Sequence, residues 1–118
     1  MKVVYASRQG HIEGMINKLG LTETVKIENG SEVVDGDYVL FTYTDGAGVI
    51  PGIVEKFLEN NTGVKAVVGS GNRARHEATF NFAADKIAEK YGASIIAKVD
   101  DGGTDEELED IKKALEAY

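Results

Sequence analysis

Three times along this chain an apolar run of strand length empties into a glycine-bearing turn, and a helical stripe follows. The runs are Val3-Val4-Tyr5-Ala6, Tyr38-Val39-Leu40-Phe41 and Val64 to Val68. Their turns are Ser7-Arg8-Gln9-Gly10-His11, Thr42-Tyr43-Thr44-Asp45-Gly46-Ala47-Gly48-Val49-Ile50-Pro51 and Gly69-Ser70-Gly71-Asn72-Arg73. Nearly unbroken apolarity calls for burial on both faces, as in a parallel sheet, rather than for a strand with one wet side. Parallel neighbours need long crossovers, and the helical stripes supply them. The repetition therefore restricts the chain to a layered α/β architecture.

The remaining segments fit that frame. Ile12, Met15, Ile16 and Leu19 fall at helical spacing, with Gly20 placed to cap the helix. Thr24-Val25-Lys26-Ile27 alternates and reads as an edge strand, and Glu28 to Gly36 is a polar connection too short for a packed helix. Ile53, Val54, Phe57 and Leu58 mark a second helix closing near Asn60-Asn61-Thr62-Gly63. Pro51 suits its first turn, where a missing N–H costs nothing. Phe80, Ala83, Ala84, Ile87, Ala88 and Tyr91 form a third stripe ended by Gly92, and Ser94 to Val99 is a fifth strand. Thr104-Asp105-Glu106-Glu107 is a capping box, opening a last helix whose Leu108, Ile111 and Leu115 face the sheet.

The order β-α-β-β-α-β-α-β-α contains no repeat and no linker, so residues 1–118 are expected to form a single domain. Right-handed crossovers make it a doubly wound three-layer sandwich around a five-stranded parallel sheet of order 2-1-3-4-5. The loops after strands 1 and 3 then leave on opposite faces and open a crevice at the carboxyl edge, where ligands of such sheets bind. All three glycine-bearing turns fall on that edge.

Composition removes several classes of function. The chain has no cysteine, hence no disulfide framework, thiol nucleophile or thiolate metal site. His11 and His76, its two histidines, stand far apart in sequence, so no metal site is expected. Twenty acidic residues against 13 basic ones give a net charge of −7, which repels nucleic acid and favours a basic protein partner. No apolar stretch approaches the roughly 20 residues of a membrane span, and no signal-peptide pattern is present. A cytoplasmic protein that binds no membrane is expected.

The first turn is a candidate phosphate cradle. Ser7 offers a hydroxyl, Gly10 lets the backbone approach closely, and the next helix aims its positive end at an anion. Arg8 and His11 are possible additional contacts. There is no Gly-Lys-Ser/Thr, so this is no Walker loop, and one glycine does not make a dinucleotide fingerprint. A monophosphate is favoured over a pyrophosphate. A phosphoacceptor receiver domain shares the strand order but needs an acidic pair after strand 1 and an aspartate ending strand 3. Ala6-Ser7 and Phe41-Thr42 stand there instead.

Thr42-Tyr43-Thr44-Asp45-Gly46-Ala47-Gly48-Val49-Ile50-Pro51, then Ser70-Gly71-Asn72-Arg73, Ala84-Asp85-Lys86-Ile87 and Gly103-Thr104, resemble the NrdI family over almost the whole chain. These are small flavodoxin-like FMN proteins encoded with class Ib ribonucleotide reductases. The resemblance implies FMN, with its phosphate on Ser7, Arg8, Gln9, Gly10, His11 and Ile12. The isoalloxazine ring would lie between Thr42, Tyr43, Thr44, Asp45, Gly46, Ala47 and Gly48 and the loop of Ser70, Gly71, Asn72 and Arg73. Tyr43 is the stacking candidate, and His76 covers the other side. The first loop reads Ser-Arg-Gln-Gly-His where the family usually has a Ser/Thr-Gly-Asn cradle.

The resemblance further implies that reduced flavin converts dioxygen to superoxide. That oxidant helps assemble the dimanganese–tyrosyl radical cofactor of the reductase small subunit. A flavodoxin or ferredoxin reductase would be the electron donor. Such a protein is an accessory redox activator rather than an enzyme with its own acid, base or nucleophile, the chemistry being the cofactor's. The alternatives are a general one-electron flavodoxin-type carrier and a cofactor-free interaction module.

Overall fold

The computed structural model describes residues 2–8, 10–44, 48–71 and 81–118. Its elements run β1 (Lys2–Tyr5), α1 (His11–Lys18), β2 (Thr24–Lys26), β3 (Tyr38–Tyr43), α2 (Gly52–Asn60), β4 (Val64–Gly71), α3 (Phe82–Tyr91), β5 (Ser94–Asp100) and α4 (Asp105–Leu115). The strands form one sheet of order β2-β1-β3-β4-β5, and every neighbouring pair is parallel. This is the doubly wound, flavodoxin-like order that the apolar runs demand.

Both faces of the sheet are covered. Val4, Leu40 and Val67 lie in one core with Phe57 and Leu58 of α2 and Ala84 and Ile87 of α3. Val3, Phe41 and Val68 lie in the other with Ile12, Met15 and Ile16 of α1 and Leu108 and Ile111 of α4. Consecutive residues serve opposite cores because strand side chains alternate, and Val3 to Ala6 and Tyr38 to Thr42 are accordingly buried without a break. Tyr38 meets Phe57 edge-on, with ring centroids 5.4 Å apart. Its hydroxyl donates to the Asn61 carbonyl at 2.6 Å, which satisfies the polar end of a wholly buried ring. Burial, with a smaller push from Tyr91, raises the Tyr38 phenol pKa.

The connection from Glu28 to Gly36 contains neither helix nor strand, as its composition requires, yet it is firmly held. The Glu32 carboxylate accepts from the N–H groups of Glu28, Asn29 and Gly30 at 2.9, 3.2 and 3.0 Å. Buried Asn61, just past α2, accepts from Val34 N–H at 2.9 Å and donates to the carbonyls of Glu32 and Phe57 at 2.9 and 3.1 Å.

Three boundaries differ from the sequence reading. Pro51 stands at the N-cap of α2 rather than in its first turn, with φ −54° and ψ 140°. That extended ψ swings the chain into the helix, and the Pro51 carbonyl accepts from Val54 and Glu55 N–H at 2.9 Å. Strands β3 and β4 run on through their turn residues, because Thr42 pairs with Gly69 and Tyr43 with Ser70 in unbroken register. Helix α3 begins at Phe82 behind Asn81, whose φ of 55° is left-handed; Phe80 lies outside the described residues. The capping box of α4 is present as read, with Glu107 N–H on Thr104 Oγ1 at 3.1 Å and Thr104 N–H on Glu107 Oε1 at 2.9 Å.

Two stability effects follow from these contacts. A Cβ on Gly69 would sit 2.7 Å from Asn81 Oδ1 and 3.1 Å from Ala84 Cβ. Asn81 is fixed by the bond from its Nδ2 to the Val99 carbonyl at 3.2 Å. Gly69→Ala should therefore destabilise by about 1–3 kcal/mol, the usual range for overpacking, as measured by denaturant titration.

The second effect is acid sensitivity at Glu32. Burial raises this carboxyl, but the surrounding backbone N–H groups outweigh burial and bring it below its ordinary value of 4.5. A depressed folded value means the contribution is complete above the unfolded value and drains away as pH falls through the folded one. Glu32→Gln should be less stable than the parent at pH 7, and the gap should close as both are acidified below about pH 4. Melting curves of both proteins across that range test it.

Candidate functional site

The register of β1 against β3 builds the site. Tyr5 pairs with Phe41, and Ala6 N–H donates to the Phe41 carbonyl at 3.0 Å. There β1 stops, while β3 continues through Thr42 to Tyr43. The chain after β1 turns into α1 over one face, and the chain after β3 turns into α2 over the other. Tyr43, half-buried at the end of β3, packs against both cores. It is bridged from the β1 side, where the Arg8 guanidinium carbon lies 4.7 Å from the Tyr43 ring centroid. Cation and aromatic face thus meet across the switch point of the sheet.

The first loop enters α1 through Gly10 and Ser7. Gly10 is the N-cap of α1 at φ 86°, and it offers no side-chain acceptor. Ser7 reaches over in its place, and its Oγ accepts from Glu13 N–H at 3.3 Å. Accepting there leaves the Ser7 hydrogen for another acceptor, and the earlier N–H groups of the helix point outward as at any helix start. Ile12 is buried in the core that α1 and α4 share, so its side chain packs inward. His11, the first residue of α1, turns towards the far end of the sheet, with Nε2 3.9 Å from Asp101 Oδ1. Tyr5 donates to Glu13 Oε1 at 3.3 Å and Lys26 reaches the same oxygen at 3.2 Å, so the acid of the first turn is engaged on the flank of α1. Burial and that carboxylate raise the Tyr5 phenol pKa.

The loop after β3 is tied to the start of α3, and the end of β4 to the β5–α4 connection. Thr44 Oγ1 accepts from Ala83 N–H at 3.0 Å, which caps α3 from the loop after β3. Thr42 is fully buried, and its hydroxyl donates to the Tyr43 carbonyl at 2.9 Å, inside the sheet edge rather than into the crevice. Gly48 sits buried at φ 93°, a conformation that disfavours any side chain. Ser70 donates to the Asp101 carbonyl, and Asp101 N–H donates to the Gly71 carbonyl at 2.6 Å. Ser7, Arg8, Gly10, Thr42, Tyr43, Thr44, Gly48, Ser70 and Gly71 accordingly share one edge of the molecule. Gln9, Asp45, Gly46, Ala47, Asn72, Arg73 and His76 lie outside the described residues.

Two residues escaped the sequence reading. Asp101, at φ 52°, carries the fourth loop of this edge, and Asn81 starts α3 from a left-handed conformation. The Asp-Gly-Gly turn was a visible signal for the first, since that triplet marks a tight reversal. For Asn81 the signal was an asparagine before a helical stripe, tolerant of positive φ.

Similarity to known proteins accords with this geometry. Among relatives, the chain is 32% identical over 110 residues to the Protein NrdI of Bacillus licheniformis, covering 92% of this chain and 82% of that one. It is 35% identical over 125 residues to the Protein NrdI of Bartonella quintana, covering 98% and 93%. Among solved structures, a Fusobacterium nucleatum flavodoxin bound to flavin mononucleotide superposes with a TM-score of 0.71 over 98% of this chain and 96% of that one, at 15% identity. That last likeness concerns the fold. The family model described as "NrdI Flavodoxin like" matches residues 3–113, and the chain belongs to the NrdI flavodoxin-like family.

Proposed function

We propose that this chain binds FMN at the β1/β3 seam as a redox accessory protein. When reduced, the bound flavin would convert dioxygen to superoxide for assembly of the dimanganese–tyrosyl radical cofactor of a class Ib ribonucleotide reductase small subunit. The observation that carries the reading is the Arg8–Tyr43 contact beside the start of α1. It sets an aromatic face and an anion-accepting helix end in one crevice, the two things that a ring bearing a phosphate needs. Membership of the NrdI family supports it.

The residues present fit that ligand. The outward N–H groups behind Gly10, together with the Ser7 hydroxyl, form a donor set for one phosphate. The first loop offers one anion site and carries no dinucleotide fingerprint, which favours FMN over FAD or a dinucleotide. Tyr43 supplies the stacking surface, and the Thr44–Ala83 bond fixes the loop that carries it. Gly48 keeps side chains away where that loop turns back, and Asp45, Gly46, Ala47, Asn72, Arg73 and His76 complete the proposed surroundings. No described helix is long and apolar enough to cross a membrane, and the acidic chain offers nucleic acid no basic face. The protein would act in the cytoplasm, fed by a flavodoxin or ferredoxin reductase.

Purified protein should be yellow and release one FMN per chain on extraction, as read by mass analysis. Recovery of FAD or NAD, or no binding of added FMN at micromolar concentration, would overturn the reading. Gly48→Val should abolish FMN binding and leave a folded apoprotein, because a β-branched residue at this φ distorts the loop. Retained binding in that variant would show the loop to lie elsewhere. Photoreduced protein mixed with air should reoxidise quickly and yield superoxide, and with the reductase small subunit and Mn(II) it should produce the tyrosyl radical signal. Slow reoxidation without superoxide would favour the one-electron carrier.

A further inference from the structure

Asn29-Gly30 is the only Asn-Gly pair in the chain, and it lies in the crossover between β2 and β3, with Asn29 exposed. Such a pair is chemically fragile, because a glycine has no side chain to keep its nitrogen from the preceding side-chain carbonyl. When the Gly30 nitrogen attacks, the bond to Asn29 Cγ forms and the Cγ–Nδ2 bond breaks. Nδ2 leaves as ammonia, carrying the proton from the Gly30 nitrogen. Water then opens the cyclic imide and leaves aspartate or isoaspartate at position 29.

The fold engages both reacting groups. Gly30 N–H donates to Glu32 Oε1 at 3.0 Å, while the other oxygen of that carboxylate takes the N–H groups of Glu28 and Asn29. Asn29 Oδ1 accepts from Ser31 N–H at 2.8 Å and from the Ser31 hydroxyl. The Gly30 carbonyl accepts from Asn60 Nδ2 at 3.4 Å. Gly30 is buried against α2, where a Cβ would stand 2.6 Å from the Ile53 carbonyl oxygen and 2.9 Å from Lys56 Cβ. Glu32 is anchored in turn by Asn61, whose Nδ2 donates to its carbonyl at 2.9 Å.

We propose that Asn29 is a spontaneous deamidation site that the folded crossover holds closed through Glu32. Attack requires the Gly30 nitrogen to give up its proton and gather negative charge. A carboxylate bonded to that N–H keeps the proton in place and opposes the added charge. Burial raises the Glu32 carboxyl, but the backbone N–H groups outweigh it, so the opposing charge is present at neutral pH. Turning the Gly30 nitrogen towards Cγ would also break the bonds on both sides of this residue. Conversion is irreversible. The new carboxylate sets like charge beside Glu32, and the isoaspartate form lengthens the backbone ahead of Gly30. An opening of the crossover is thereby recorded in the covalent chain, whatever ligand the protein binds.

Peptide mapping of the full chain, incubated at mildly alkaline pH, follows the conversion, and methyltransferase labelling reports isoaspartate. The folded parent should convert at least about tenfold more slowly than the same protein unfolded in guanidinium. Glu32→Gln, verified as folded by circular dichroism, should convert about tenfold faster than the parent, in keeping with loss of a bond to a charged acceptor. Gly69→Ala, which is destabilised far from the crossover, should convert like the parent, and this separates local opening from global unfolding. The Gly30 amide of the parent should be protected from hydrogen exchange, a measurement that holds even if Glu32→Gln does not fold. The proposal is overturned if the folded parent converts as fast as the unfolded chain, or if Glu32→Gln is no faster than the parent. Equal acceleration in Gly69→Ala, or free exchange of the Gly30 amide, would overturn it as well.

Discussion

Burial of the sheet on both faces is the constraint on which the rest depends. A strand packed against helices above and below has no side free for water, so its backbone must be satisfied entirely by neighbours and its side chains must be apolar at every position. Function is thereby confined to the carboxyl edge, where the strands stop and polar residues can return. Where each strand stops is decided by register. Because β1 ends level with Phe41 and β3 runs on to Tyr43, the edge is stepped, and the step sets the Tyr43 ring against Arg8 of the chain leaving β1.

The loops that rise from this edge hold one another through short side chains. Thr44 caps α3, Ser70 fastens the turn at Asp101, and Ser7 takes a donor of α1. Each hydroxyl reaches out of its own loop or strand end into another element. Gly69 belongs to the same arrangement from below, because only a residue without a side chain lets Asn81 reach the Val99 carbonyl. Bonds of this kind tie described residues at the carboxyl edge to the helices and strands that flank them.

Much of this was legible in the residues. Strand order, both cores, the edge position of β2 and the α4 capping box follow from periodicity and short-range chemistry, which are local. What the sequence hid is non-local. Thr42, Tyr43, Ser70 and Gly71 have the composition of a turn, yet they extend β3 and β4 because each finds a partner in the adjacent strand. Pro51 reads as a first-turn residue, and the path of the preceding loop puts it one place earlier. The connection from Glu28 to Gly36 looks like slack, and its order comes from Asn61, far along the chain. In the first loop the residue types pointed to an anion site, but that Arg8 would lie over Tyr43 depends on how β1 and β3 are staggered.

The same parallel topology also resolves an apparent conflict between an acidic chain and an anionic ligand. All four helices begin at the carboxyl edge, so four positive helix ends, each worth roughly half a unit charge, face the same way. The protein neutralises them unequally. Helix α4 surrounds its start with Asp105, Glu106 and Glu107 and a complete capping box. Helix α3 receives the Thr44 oxygen. Helix α1 likewise receives an oxygen from outside itself, that of Ser7 on Glu13 N–H, while α2 begins behind Pro51, which supplies no side-chain cap. The acid in each first turn is drawn off by a lysine, Glu13 by Lys26 and Glu55 by Lys90. Helices α1 and α2 are the ones that follow β1 and β3. With Glu13 and Glu55 held by lysines, the first turns of α1 and α2 keep more of their helix-end charge than the first turn of α4 does, in a chain whose net charge is −7.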